Sequence, residues 1–187
     1  NPASKIDNLK QLQTKREFLT LEEINLLAKT PCKNEATKKA FLFACLTGLR
    51  ISDIELLRYQ NIKNGMVEFR QKKTKNLNYI PLSETALKLA EPISKDGNDS
   101  VFKLPSRAYI GVTLKVWFAE AGILKNANFH LSRHTFATLA LTQGIDIYTV
   151  SKLLGHKELS TTQIYSQIID QKKMDAIKLM PRIEGIS

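Results

Sequence analysis

Between Ile62 and Leu82 the hydrophobic period of this chain switches from that of a helix to that of a strand, then switches back. No other feature narrows the possible folds as much. Val67 and Phe69 alternate with Met66, Glu68 and Arg70, and a second extended run from Leu77 to Leu82 follows the polar stretch Gln71 to Asn76. Two such runs around a lysine-rich turn predict a β-hairpin, ended by Pro81, which has no N–H to continue a ladder. The rest reads as helix, so the expected class is mainly α with a small antiparallel β-sheet, an α+β chain.

The helices announce themselves by their ends. Thr20 with Glu23 three residues later is a capping-box pattern, and Leu21, Ile24, Leu26 and Leu27 give the helix behind it an apolar face that Pro31 closes. A second helix is expected from Glu35 to Leu46, ended by Gly48 just before Arg50, and a short third capped by Ser52 and running through Leu57. Ser83 opens a helix to about Ala90, and residues 92–100 are a loop. A short extended run follows at Val101 to Leu104. Further helices are expected at 106–121, weakened by Gly111, and at 131–142, 146–154, 160–165 and 167–179, with Ser160 capping the one that holds Tyr165. Residues 1–18 carry Lys5, Lys10, Lys15 and Arg16 with little apolar periodicity and read as a basic arm or linker, leaving 19–187 as the folded domain.

With 187 residues, 43% of them hydrophobic, one domain with a real core is expected. The longest apolar stretch, Ala40 to Leu46, is far short of the ~20 residues a membrane span needs. Cys32 and Cys45 are too few for a disulfide scaffold or a zinc ribbon, and a reduced, cytoplasmic protein is expected. The chain opens on Asn1 rather than Met, which leads us to expect a piece of a longer polypeptide. Its 28 Lys and Arg against 18 Asp and Glu, a net charge of +10, make an anionic partner plausible without identifying it.

Four places carry candidate chemistry: Arg50 behind a helix-ending glycine, the hairpin lysines, Phe129 to Phe136, and Leu153 to Gln167. Each puts a cationic or hydrogen-bonding side chain at a helix end or tight turn. Arg50 and Arg133 each present a planar fork of donors, and two forks on one phosphate would oppose the charge that develops at phosphorus. The plainer alternative for Arg50 is an ion pair with Asp53, three residues on. His130, Arg133 and His134 share one side of a helix start. A zincin motif would need Glu directly after the first His, where this chain has Leu131, so no metal site is expected. His134 reads as a buried histidine bonded to backbone. His156, after Gly155, sits on a turn outside the Val150, Leu153, Leu154 stripe. Tyr165 would serve as a nucleophile only if neighbouring cations or a base offset its pKa of ~10.

Taken together, these segments resemble the catalytic domain of the tyrosine recombinases, the integrase family. Leu46 to Leu57 is similar to the family's first arginine box, His130 to Leu141 to its His-x-x-Arg box, and Leu153 to Gln167 to the box that ends in the nucleophilic tyrosine. The resemblance implies that Arg50 and Arg133 clamp the scissile phosphate and that Tyr165 attacks it. It further implies that His130 assists proton transfer from the tyrosine and that His156 hydrogen-bonds a phosphate oxygen. The family's hairpin lysine lies eight residues before the proline of the second strand, which selects Lys73 over Lys72 and Lys75 as the general acid for the departing 5′ oxygen.

The implied function is a site-specific recombinase that cuts and rejoins double-stranded DNA through a 3′-phosphotyrosyl link, with no cofactor. Lys72, Lys75 and the arm cations Lys5, Lys10, Lys15 and Arg16 would contact DNA. Assembly on DNA as a homo-tetramer through the C-terminal segment is implied, with residues 167–187 packing on their own core or on a neighbour, as is work at the bacterial nucleoid. An N-terminal helical domain that full-length family members carry has no counterpart in this chain. Competing expectations are a catalytically silent DNA-binding module of the same fold and a type IB topoisomerase. An RNA-binding protein ranks last, for want of an aromatic-rich strand motif.

Overall fold

The computed structural model describes residues 17–70, 77–156 and 158–165 together with Ile177. The basic arm up to Arg16, the hairpin lysines Lys72, Lys73 and Lys75, and nearly all of the segment beyond Tyr165 lie outside the described residues.

Helix α1 (Leu21–Lys29) starts at the expected capping box, with the Thr20 N–H donating to Glu23 at 2.7 Å and the Glu23 N–H to the Thr20 hydroxyl at 3.3 Å. Helix α2 (Glu35–Thr47) is the central element. From Ala40 on it has no polar face, and Ala40, Phe41, Phe43 and Ala44 are fully buried. Phe41 meets Trp117, Phe118 and Phe129 edge to face at 5.6–5.9 Å, fixing α2 against the later helices. Helix α3 (Ile51–Ile54) is shorter than expected. Arg50, extended at φ −74° and ψ 150°, takes the N-cap position that the sequence assigned to Ser52.

The sheet has three strands, not two. Strand β1 (Ile62–Lys63) pairs antiparallel with β2 (Met66–Arg70), and β2 with β3 (Leu77–Pro81), Val67 lying opposite Ile62 on one side and Ile80 on the other. The first turn is Asn64-Gly65, both at positive φ, as the tight primed hairpin turns require. Burial alternates along β2 as the sequence predicts.

Helix α4 (Glu84–Leu89) is capped by Ser83, α5 (Arg107–Glu120) by Ser106 and runs unbroken through Gly111. Helix α6 (His130–Thr142) and helix α7 (Ile147–Leu154), the latter capped by Asp146, follow. Val101 to Leu104 forms no strand; an isolated bridge between Arg58 and Ser100 stands nearby. In place of a helix at 160–165 there are two 3₁₀ turns, Leu159–Thr161 and Gln163–Tyr165. Ser160, expected to cap the helix that holds Tyr165, lies inside the first of these turns, and its hydroxyl donates to Glu158 at 3.2 Å.

One large core spans α1 to α6 and the sheet, and a smaller cluster of Ala137, Ala140, Leu141, Val150, Leu154 and Tyr165 lies between α6, α7 and the last turn. Among the described residues no helix is long and apolar enough to cross a membrane.

Candidate active site

Three chain segments converge, each at the end of a helix. Gly48, left-handed at φ 69°, closes α2 and turns the chain so that Leu49 is buried and Arg50 begins α3. One end of α6 brings His130 and, one turn on, Arg133 and His134. Gly155, left-handed at φ 62°, closes α7 and releases His156 from the helix.

Arg133 is almost fully buried, 5% exposed. Its Nη1 donates to the Gly48 carbonyl and its Nη2 to the Leu154 carbonyl, each at 2.6 Å. Both acceptors stand at helix C-termini, where carbonyls lack helix partners and carry the negative end of the dipole. Two helix ends thus compensate a buried cation. Burial, and next the charge of Arg50, push the guanidinium down to about 9, while Tyr165 and Asp53 pull it up; at neutral pH it stays charged.

Arg50, His130 and Arg133 line one cleft of about 190 Å³ together with Ser52 and Phe129. The Nη1 of Arg50 is buried with no hydrogen-bond partner among the described residues. Leaving such a donor unpaired costs about 1–3 kcal/mol, and the site places it beside a second guanidinium of the same sign. An anion bound in the cleft would offset the repulsion between the two guanidinium groups.

Arg107, on the same cleft, went unnoticed in the sequence. It holds Glu55 by two hydrogen bonds of 2.7 and 2.8 Å, which raise its pKa. Its position right after the Ser106 cap gave no sign that it reaches across to the end of α3.

The Nδ1 of His156 lies 2.8 Å from the hydroxyl of Thr162, which is completely buried. Burial first, then the charges of Arg133, Arg50 and His130, push this imidazole down to about 4. At neutral pH it is therefore an uncharged donor rather than a third cation. Tyr165 is 6% exposed within the smaller apolar cluster, and its hydroxyl lies 2.6 Å from Nδ1 of His134. His134, expected to be buried and bonded to backbone, is half-buried, and its Nδ1 contacts the candidate nucleophile. The partner comes from 31 residues away, and nothing in the local spacing of α6 announces it.

A sequence profile described as the phage integrase family matches residues 17–172. A tyrosine recombinase of Pseudothermotoga lettingae is 32% identical over 186 residues, covering 95% of this chain and 65% of that protein. The chain thus spans somewhat less than two thirds of that relative's length. Among solved structures, the catalytic domain of bacteriophage HP1 integrase superposes with a TM-score of 0.68 at 23% identity, over 91% of this chain and 98% of that one. XerH site-specific recombinase bound to a palindromic difH substrate, a post-cleavage complex, gives a TM-score of 0.72 at 20% identity, over 94% of this chain and 57% of that one. At these identities the two structures speak to the fold: a mainly helical chain with one small antiparallel sheet, as tyrosine-recombinase catalytic domains have.

Proposed function

The chain belongs to the phage integrase family, and from that premise we propose that it is the strand-cleaving and strand-rejoining unit of a site-specific DNA recombinase. Residues 19–187 form that unit and residues 1–18 a basic arm that follows DNA phosphates. The observation that carries the reading is that Arg50 and buried Arg133, two like charges close enough to shift one another, line one cleft. Two fixed cations at a water-poor site suit a phosphodiester that gains negative charge at its transition state.

In this reaction the Tyr165 oxygen attacks phosphorus, its bond to phosphorus forms, and the bond from phosphorus to the 5′ oxygen breaks. The tyrosine proton goes to a histidine of α6, which the family resemblance makes His130, and Lys73 supplies a proton to the departing oxygen. The DNA is left with a 3′-phosphotyrosyl link and a free 5′-hydroxyl. Attack by the 5′-hydroxyl of another strand reverses each step. One phosphoester replaces another, so rejoining needs no external energy source. Arg50 and Arg133 hold the non-bridging oxygens, and His156, uncharged at neutral pH, adds one N–H to them. The partner is double-stranded DNA, in the bacterial cytoplasm at the nucleoid, on which a tetramer assembles through the segment after Tyr165.

The test is covalent capture: the protein is incubated with nicked duplexes, and a denaturing gel is read for a protein–DNA adduct. Wild type forms the adduct and Tyr165→Phe does not. DNA binding without an adduct on any duplex would leave a silent DNA-binding module. Relaxation of supercoiled DNA without joining of two sites would point to a topoisomerase.

A further inference from the structure

We propose that His134 is the group that takes the Tyr165 proton during cleavage and returns it during rejoining. The inference rests on the recombinase reading and changes one role within it, because the family resemblance gives this proton to His130, one turn earlier on α6.

The geometry points to His134 directly. Its Nδ1 stands 2.6 Å from the Tyr165 oxygen, the atom that would attack phosphorus, and the two rings lie 5.9 Å apart between centroids. Tyr165 is buried among Ala137, Leu141, Val150 and Leu154, so bulk water is a poor proton acceptor at that oxygen. His130 is exposed and lines the arginine cleft, and its ring meets that of His134 edge to face at 4.6 Å. The two histidines therefore form a line from the buried phenol to the cleft, and His134 is the member of that line in hydrogen-bonding contact with the phenol.

Chemistry fixes the direction. A phenol hydroxyl donates best to an unprotonated ring nitrogen, which places the imidazole proton on Nε2 and leaves Nδ1 as the acceptor. A phenol is a weaker acid than an imidazolium, so the proton moves as the bond to phosphorus forms. The oxygen–hydrogen bond of Tyr165 breaks, the oxygen–phosphorus bond forms, and Nδ1 gains the proton to give an imidazolium. On rejoining, the 5′-hydroxyl attacks, the tyrosine oxygen leaves phosphorus, and the imidazolium gives the proton back.

Two measurements test this. In protein labelled with nitrogen-15 in its histidines, the ring shifts at neutral pH should report a bare Nδ1 and a protonated Nε2 for His134, and the Nδ1 signal should move in Tyr165→Phe. A proton found on Nδ1 would overturn the proposal whatever the protein does to DNA. The second probe is a library of nicked duplexes with randomised sequence, from which wild type selects those it captures covalently. On these, His134→Gln, which offers a hydrogen-bond acceptor but binds no proton, should form adduct at least about 10²-fold more slowly with unchanged DNA affinity. A wild-type rate in His134→Gln would sink the proposal while leaving the recombinase reading standing. Failure of wild type to capture any duplex would instead sink the recombinase reading, and the role of His134 with it.

Discussion

The Nη1 of Arg133 donates to the carbonyl oxygen of Gly48 at 2.6 Å, across 85 positions of sequence. This bond ties the end of α2 to the middle of the candidate site, and the Nη2 bond to Leu154 ties in the end of α7. A residue expected to clamp a ligand is thus also a fastener of the fold, and Gly48 is where the two duties meet.

Gly48→Ala should damage both. The position is left-handed at φ 69°, and a Cβ there would lie 2.5 Å from Cδ1 of Phe136 and 2.9 Å from Cδ2 of Leu154. Left-handed strain and the clash together predict a loss of about 2 kcal/mol or more in denaturant unfolding. Because the carbonyl that holds Arg133 must move, adduct formation should fall as well. A variant as stable as wild type would show that α6 and α7 yield where the packing says they do not.

Arg50 and Arg133 should part company in stability though not in activity. Arg133→Ala removes two charge-assisted hydrogen bonds to buried helix-end carbonyls, at about 1.5–3 kcal/mol each, which for a chain of this size lowers the melting temperature by on the order of 5 °C or more. Arg50→Ala removes an unpaired buried donor and a like charge beside Arg133, so its melting temperature should match or exceed that of wild type. Both should slow adduct formation by about 10² to 10³. Thermal melts alongside covalent capture check this, and a fall for Arg50→Ala as large as for Arg133→Ala would contradict it.

Most of the frame was legible because helix ends are written locally. Thr20, Ser83, Ser106 and Asp146 accept bonds from backbone N–H groups of the first turns behind them, and Gly48 and Gly155 take the left-handed turns. Strand β1 escaped because two residues carry no period, although Asn64-Gly65 was a turn signal in plain view. The His134–Tyr165 contact and the reach of Arg107 to Glu55 escaped for a different reason. They join residues 31 and 52 positions apart, and helical spacing says only which residues share a face, not what that face meets. Helix ends and turns brought Arg50, Arg133, His156 and Tyr165 to notice and the resemblance to the integrase family gave them roles; the residues that hold them in place came only with the packing.

Thr162 makes that distinction testable. Its buried hydroxyl lies 2.8 Å from Nδ1 of His156; for His156 to offer its Nε2–H to a phosphate, that hydroxyl must be the donor to Nδ1. Thr162→Val keeps the shape and removes the donor. One hydrogen bond is worth about 1 kcal/mol, so adduct formation should slow roughly fivefold, with Thr162→Ser restoring most of the rate. Equal rates in the valine variant would mean that packing alone orients His156.

His156 also predicts how the fold responds to acid. Burial and the neighbouring cations hold its folded-state pKa at about 4 in place of 6.5. Between those two values the unfolded chain binds a proton that the folded chain refuses, so ν of the unfolded state exceeds ν of the native state and stability rises with pH. The contribution is fully present above about pH 6.5, is lost progressively as pH falls towards 4, and changes no further below that. His156→Gln cannot take up the proton, so the difference in melting temperature between wild type and this variant should shift against wild type as pH is lowered from 7 to 4. Melts across that range, taken as the difference between the two proteins, remove the background of other titrating groups. A difference that stays constant would mean that His156 is free to charge in the folded protein, and the uncharged donor assigned to the phosphate would have to be replaced by an imidazolium.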